Sequence, residues 1–188
     1  ISLAPGNGDI SVVVWRDRLR ASDQGDEAAD WFSDFLGKKC RLVRMSDRYP
    51  RPVDPDYASV KGDRVSFADS FPFLLISEAS LEDLNRRMAE PIGMERFRPN
   101  IIVSGARPYE EDTWNRIRIG TVPFRVTKPC ERCVITTVDA ETGKRGDDPV
   151  RTLATYRVNA NNKAVFGQNL IHLHTGHLST GDLIRVLE

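Results

Sequence analysis

The chain has no long hydrophobic run, few cysteines, few aromatic residues and no net charge. The longest apolar stretches, around Ile10–Trp15 and Phe71–Ile76, fall far short of the roughly 20 residues a bilayer helix needs, which excludes a spanning helix. Ile1–Gly8 lacks the basic region and apolar run of a secretory signal. Three cysteines, Cys40, Cys130 and Cys133, are too sparse for the disulfide framework of a small secreted domain and point to a reducing, cytoplasmic setting. Twenty-seven basic residues offset 27 acidic ones, so no global field draws the chain to nucleic acid or to a membrane surface, and neither is expected as a partner. With 8% aromatic, 40% hydrophobic and 29% charged residues over 188 positions, the composition is that of a globular domain with a real core.

Periodicity supplies the elements. Ser11–Trp15 reads as a strand. Ala28, Trp31, Phe32, Phe35 and Leu36 recur at helical spacing and stop at Gly37, a C-terminal cap. Cys40–Met45 reads as a short strand, and Asp47–Tyr57, with prolines at 50, 52 and 55, as a surface loop. Phe71–Ile76 looks buried, and Ser77 or Ser80 caps a second helix bearing Leu81, Leu84 and Met88. Beyond Gly93 the pattern turns to strands: Arg98–Val103, Arg116–Ile119, Pro123–Thr127, Val134–Val138, Gln168–His172 and Leu183–Leu187, with one short helix over Pro149–Tyr156. No linker or repeat divides the chain. The expected class is mixed α/β, predominantly β, with a closed or partly closed barrel and a few helices packed outside.

Lys128-Pro129-Cys130-Glu131-Arg132-Cys133 is the most pointed motif, and three readings of its C-x-x-C pair stand open. A thioredoxin-like redox pair needs a helix N-terminus, whereas the β-branched run after Cys133 favours a strand. A zinc site needs two further ligands, for which His172, His174 and His177 are candidates. A single metal-ligating thiolate is the third, with Arg132 and Lys128 as nearby cations and a softer metal as partner. In Arg96-Phe97-Arg98-Pro99-Asn100, an extended backbone would place Arg96, Arg98 and Asn100 on one face, able to grip an anion. Glu141-Thr142-Gly143 reads as a hairpin turn, and Glu110-Glu111-Asp112 as a solvated loop.

Taken in order, seven segments resemble the MOSC domains of amidoxime-reducing components and their bacterial relatives: Gly25-Asp26-Glu27-Ala28-Ala29 with Trp31, Ser77-Glu78-Ala79-Ser80-Leu81, Arg96–Asn100, Glu111-Asp112-Thr113-Trp114, Cys130–Cys133, Thr136-Thr137-Val138-Asp139 and Phe166-Gly167-Gln168-Asn169. The resemblance implies a MOSC-type β-barrel spanning residues 1–188. It also implies a molybdenum-pterin cofactor (Mo-molybdopterin) and reduction of N-hydroxylated small molecules. By the same resemblance Cys133 is the catalytic residue and the molybdenum ligand, Ser70, Arg98, Asn100 and Arg132 bind the cofactor, and Arg98 and Arg132 meet its phosphate. Position 131 is commonly small and polar in the family, so Glu131 is a departure. Pyridoxal phosphate binding is a further expectation attached to the same superfamily.

Residues 1–20 then correspond to the end of a barrel-like N-terminal region, and a chain opening at Ile1 implies that an upstream segment was removed. Without that region the cofactor would be held weakly. With no iron–sulfur extension, electrons would come from a separate flavin or iron-sulfur protein. The competing expectation is a sulfur-carrier or cofactor-handling module in which Cys133 bears a persulfide.

Overall fold

The computed structural model describes residues 8–58 and 62–188, so the reading of the extreme N-terminus as no targeting signal falls, for residues 1–7, outside the described residues. The chain divides into two compact units, Ile1–Ser70 and Phe71–Glu188, at a point where composition shows no linker.

In the first unit, β1 (Asp9–Val14), β2 (Asp17–Asp23) and β3 (Val43–Met45) form an antiparallel sheet in that order. Trp15, with φ 57°, makes the tight turn between β1 and β2. The helix α1 (Asp26–Leu36) ends where expected: Gly37 adopts the left-handed conformation at φ 62°, and the Lys38 amide bonds back to Ser33 O. Only part of the apolar stripe of α1 is covered. Ala29 is buried, whereas Trp31 and Phe35 stack on one another, ring centroids 5.4 Å apart, and remain exposed. Arg51, buried in the loop after β3, binds Asp17 through Nε and the carbonyls of Ser66, Ala68 and Asp69 through its terminal nitrogens. One guanidinium thereby organises a loop that prolines keep irregular.

The second unit is a curled six-stranded half-barrel. Its strands are β4 (Phe73–Ser77), β5 (Ile101–Val103), β6 (Arg116–Ile119), β7 (Val122–Glu131), β8 (Val165–His172) and β9 (Ile184–Val186), in the order β5-β4-β8-β7-β6-β9. All neighbours are antiparallel except β4 and β5. Helices α2 (Glu78–Arg86) and α3 (Val150–Leu153) accompany the sheet. Successive residues of a strand face opposite ways, and β4 shows the result. Leu75 joins a cluster with Val103, Trp114, Ile117, Phe124 and Leu170, while Ile76 joins one with Phe97, Phe166 and the helix residues Leu84 and Leu153. Both faces of the sheet are therefore buried near β4 and β8, which explains why β4 reads as a continuous apolar run.

Three expectations are corrected. Val134–Thr137 is a 3-10 turn, not a strand. Thr136 and Thr137 donate their hydroxyls to Cys133 O at 3.0 Å and Val134 O at 2.7 Å, a local alternative to a ladder. Arg98–Val103 is a strand only from Ile101, because Phe97 N and Arg98 N bond back to Met94 O and Glu95 O and close a turn. Glu111 is not solvated; it is 1% exposed beneath the N-terminus of α2.

Candidate functional site

The site grows from the end of β7. Against β8 this strand carries two register shifts, between Val126 and Lys128 and between Pro129 and Glu131. Irregularities of this kind re-aim side chains at the edge of a ladder. The last ladder-like bond is Arg132 N to Ala164 O at 2.8 Å. The chain then leaves the sheet, and Cys133, extended at φ −104° and ψ 175°, opens the 3-10 turn.

Cys133 is exposed and Cys130 half-buried. Among the described residues no hydrogen bond reaches the Cys133 sulfur. Cys130 differs, because Arg132 donates to its sulfur from Nη1 at 3.0 Å. The other terminal nitrogen of Arg132 donates to Phe97 O at 3.0 Å, and the guanidinium lies 5.2 Å from the Phe97 ring centroid. Among the described residues its buried Nε has no partner. Arg132 thus holds the turn that precedes Arg98.

A second arginine crosses in the opposite sense. Arg96 donates from Nε to Thr136 O at 2.9 Å, with Asp139 3.5 Å from its Nη1. The Asp139 carboxyl is held below its ordinary value, first by the Thr142 hydroxyl, then by the Thr142 amide and more distantly by Arg96. Two guanidinium-to-carbonyl bonds therefore fasten segment 96–98 to segment 132–136. The expected single face of Arg96, Arg98 and Asn100 is not formed, since Arg96 turns toward Thr136 and Asn100 turns toward β4. The main-chain and side-chain groups of Asn100 bracket Leu74: Asn100 N donates to Leu74 O, and Leu74 N donates to Asn100 Oδ1, each at 2.9 Å.

Arg98 stands apart from these braces. It is exposed, with φ 55°, a left-handed conformation costing a non-glycine residue about 1–2 kcal/mol. Among the described residues its guanidinium has no bonded partner. The Glu131 carboxylate accepts from Asn159 Nδ2 at 2.8 Å. Ser70, exposed, is the last residue of the first unit, whereas Arg98, Asn100, Arg132 and Cys133 belong to the second.

The zinc reading finds no cluster: among the described residues no three His, Cys, Asp or Glu side chains are placed to hold a metal ion together. His172 instead packs edge-on to Phe73 at 5.5 Å. A ligand set resting on one protein thiolate remains compatible with the geometry. The donors fit a cofactor that brings its own metal ligands and an anionic group: one accessible thiol, one uncommitted guanidinium and one buried unpartnered N–H. No helix of the described residues is long and apolar enough to cross a membrane.

Arg96 and the threonines after Val134-Ile135 work together in a way that their strand propensity hides. The signal was present as two hydroxyl residues following two apolar ones, a poor strand alternation.

Comparison with known proteins adds an independent line. The MOSC domain model matches residues 62–185. Mitochondrial amidoxime-reducing component 1 of Mus musculus is 37% identical over 182 residues, covering 90% of this chain and 53% of that protein. Mitochondrial amidoxime reducing component 2 of Rattus norvegicus is 42% identical over 146 residues, covering 74% and 43%. Molybdenum cofactor sulfurase of Arabidopsis thaliana is 36% identical over 154 residues, covering 73% of this chain and 19% of that protein. The chain thus spans about half, or less, of the length of these relatives. Neither the matched domain nor the relatives' names support pyridoxal phosphate.

Proposed function

The chain belongs to the MOSC domain family, and from that premise we propose that it is the cofactor-binding part of a molybdenum-dependent reductase of N-hydroxylated compounds. The observation that carries this reading is the accessible thiol of Cys133, without a hydrogen bond among the described residues and fixed by two arginine braces to the turn that displays Arg98. The relatives' names, amidoxime-reducing component and molybdenum cofactor sulfurase, support the same class of chemistry.

Cys133 would hold molybdenum through its sulfur, since thiolates suit softer metals. Arg98 would pair with the pterin phosphate, its planar fork matching that anion. Asn100 keeps its side-chain N–H groups for the cofactor while its oxygen stays on Leu74. Arg132 bears on the cofactor mainly by holding the turn before Arg98, with Nε its spare donor. Molybdenum-pterin, when bound, supplies two-electron oxygen-atom acceptance. The net reaction adds two electrons and two protons to an N–OH group, giving N–H and water, so a separate electron-donor protein carrying flavin or iron–sulfur is the implied partner. The protein's own share is to orient the thiol and the cation and to keep both fixed.

The test is metal and pterin analysis of the protein beside a Cys133→Ser variant, followed by an amidoxime reduction assay. Stoichiometric molybdenum in the parent and its loss in the variant, with activity falling at least a hundredfold, is the expected outcome. Molybdenum absent from both sinks the reductase reading. The mass of one added sulfur on Cys133 would then favour a persulfide carrier.

A further inference from the structure

The turn that begins at Cys133 is folded against its own polarity. Thr136 and Thr137 are 0% and 4% exposed, whereas Val134 and Ile135, both β-branched and apolar, are 53% and 57% exposed. The hydroxyls go inward because each closes a bond within the turn, and Arg96 takes Thr136 O from outside it. On the turn's side those contacts use only main-chain atoms and threonine oxygens. Nothing in them requires hydrocarbon at positions 134 and 135, where a polar side chain would form the same turn. Apolar surface held in water is a standing source of binding free energy for whatever covers it.

Size and place narrow the occupant. A stable protein–protein interface takes on the order of 800 Å² from each partner, far more than two side chains offer, while a small molecule needs only a limited apolar contact. The patch also directly follows the exposed thiol, on the same turn. We propose that Val134 and Ile135 form an apolar lip beside Cys133 that receives the hydrocarbon body of the substrate, so that amidoximes bearing an aryl or long alkyl group are preferred over small polar ones. This rests on the reductase reading and deepens it. The N–OH end would face the thiol side, where the polar groups are, and the hydrocarbon end would lie over the lip.

Benzamidoxime and acetamidoxime share one reacting group and differ in apolar body, which makes them the probe pair. With the molybdenum-loaded protein and reduced methyl viologen as electron source, a Val134→Ser/Ile135→Ser variant should lower the benzamidoxime-to-acetamidoxime ratio of kcat/KM at least tenfold, mainly through the benzamidoxime KM. A Val134→Leu/Ile135→Leu variant should restore the ratio. Independently of turnover, the methyl NMR signals of Val134 and Ile135 in the parent should shift saturably with benzamidoxime. An unchanged ratio, an equal loss on both compounds, or unmoved methyl signals overturns the lip while leaving the reductase reading intact. A loaded parent protein that reduces neither amidoxime defeats that reading, and the lip with it.

Discussion

Glu111 shows how much one side chain can organise. Its carboxylate accepts from Ser77 N at 3.2 Å, Ser77 Oγ at 2.9 Å and Ser80 Oγ at 2.7 Å. Three donors at the start of α2 are thus satisfied by one buried anion, and the helix end favours negative charge there. Glu111→Ala would leave those donors buried and unpaired, so we expect it to destabilise the fold by about 3 kcal/mol or more. Chemical denaturation of the variant checks this, and a midpoint equal to the parent's would show that water replaces the carboxylate. The sequence contained both serines as caps, yet not their partner, because 34 residues separate Ser77 from Glu111 and local pattern carries no record of such a distance. Ser77 itself was legible, and it caps α2 by accepting from Ser80 N.

Among the elements, β8 depends on a glycine. Gly167 sits at φ 77°, and a Cβ there would lie 2.5 Å from Ile76 Cγ1 and 2.8 Å from Leu75 O. Gly167→Ala combines a left-handed backbone with overpacking against the neighbouring strand, so a loss of about 2–4 kcal/mol is expected. A thermal midpoint within a degree or two of the parent's would refute that estimate. The legible elements were those with a regular pattern or a stop signal: α1 with its helical spacing and glycine cap, β6, and the Gln168–His172 part of β8. β2 was missed because Asp17-Arg18-Leu19-Arg20-Ala21-Ser22-Asp23 is mostly charged, and because Trp15 takes a turn conformation that sequence rules reserve for glycine or asparagine. Val134–Thr137 was misread because β-branching signals a strand, while the threonine hydroxyls bind locally instead.

For the whole molecule, acid is the informative stress. Asp23 is held below its ordinary 3.8 first by a hydrogen bond from Arg41 and then by the Gly25 amide. Asp83 is lowered first by Arg87, with burial opposing and Tyr109 assisting. Asp139 is lowered by Thr142. A carboxyl whose folded value lies below its unfolded one stabilises the fold above the unfolded value, and that contribution is lost as pH falls through the folded value. Thermal midpoints should therefore stay level from neutral pH to about 5 and fall below about 4, in both units, since Asp23 belongs to the first and the other two to the second. A midpoint at pH 3 equal to that at pH 7 would contradict this.

The candidate site was legible at the level of residue type, through its thiol, arginines and asparagine. The division of labour among the arginines was not, because it is set by which carbonyl each one meets across the fold. Arg96 and Arg132 both grasp main-chain oxygens, those of Thr136 and Phe97. A carbonyl is present whatever side chain its residue carries, so this scaffold places a strict demand on the two arginines and a lenient one on the identities they touch. Substitution can therefore remodel the surface around Cys133 for new compounds without loosening the frame that positions it.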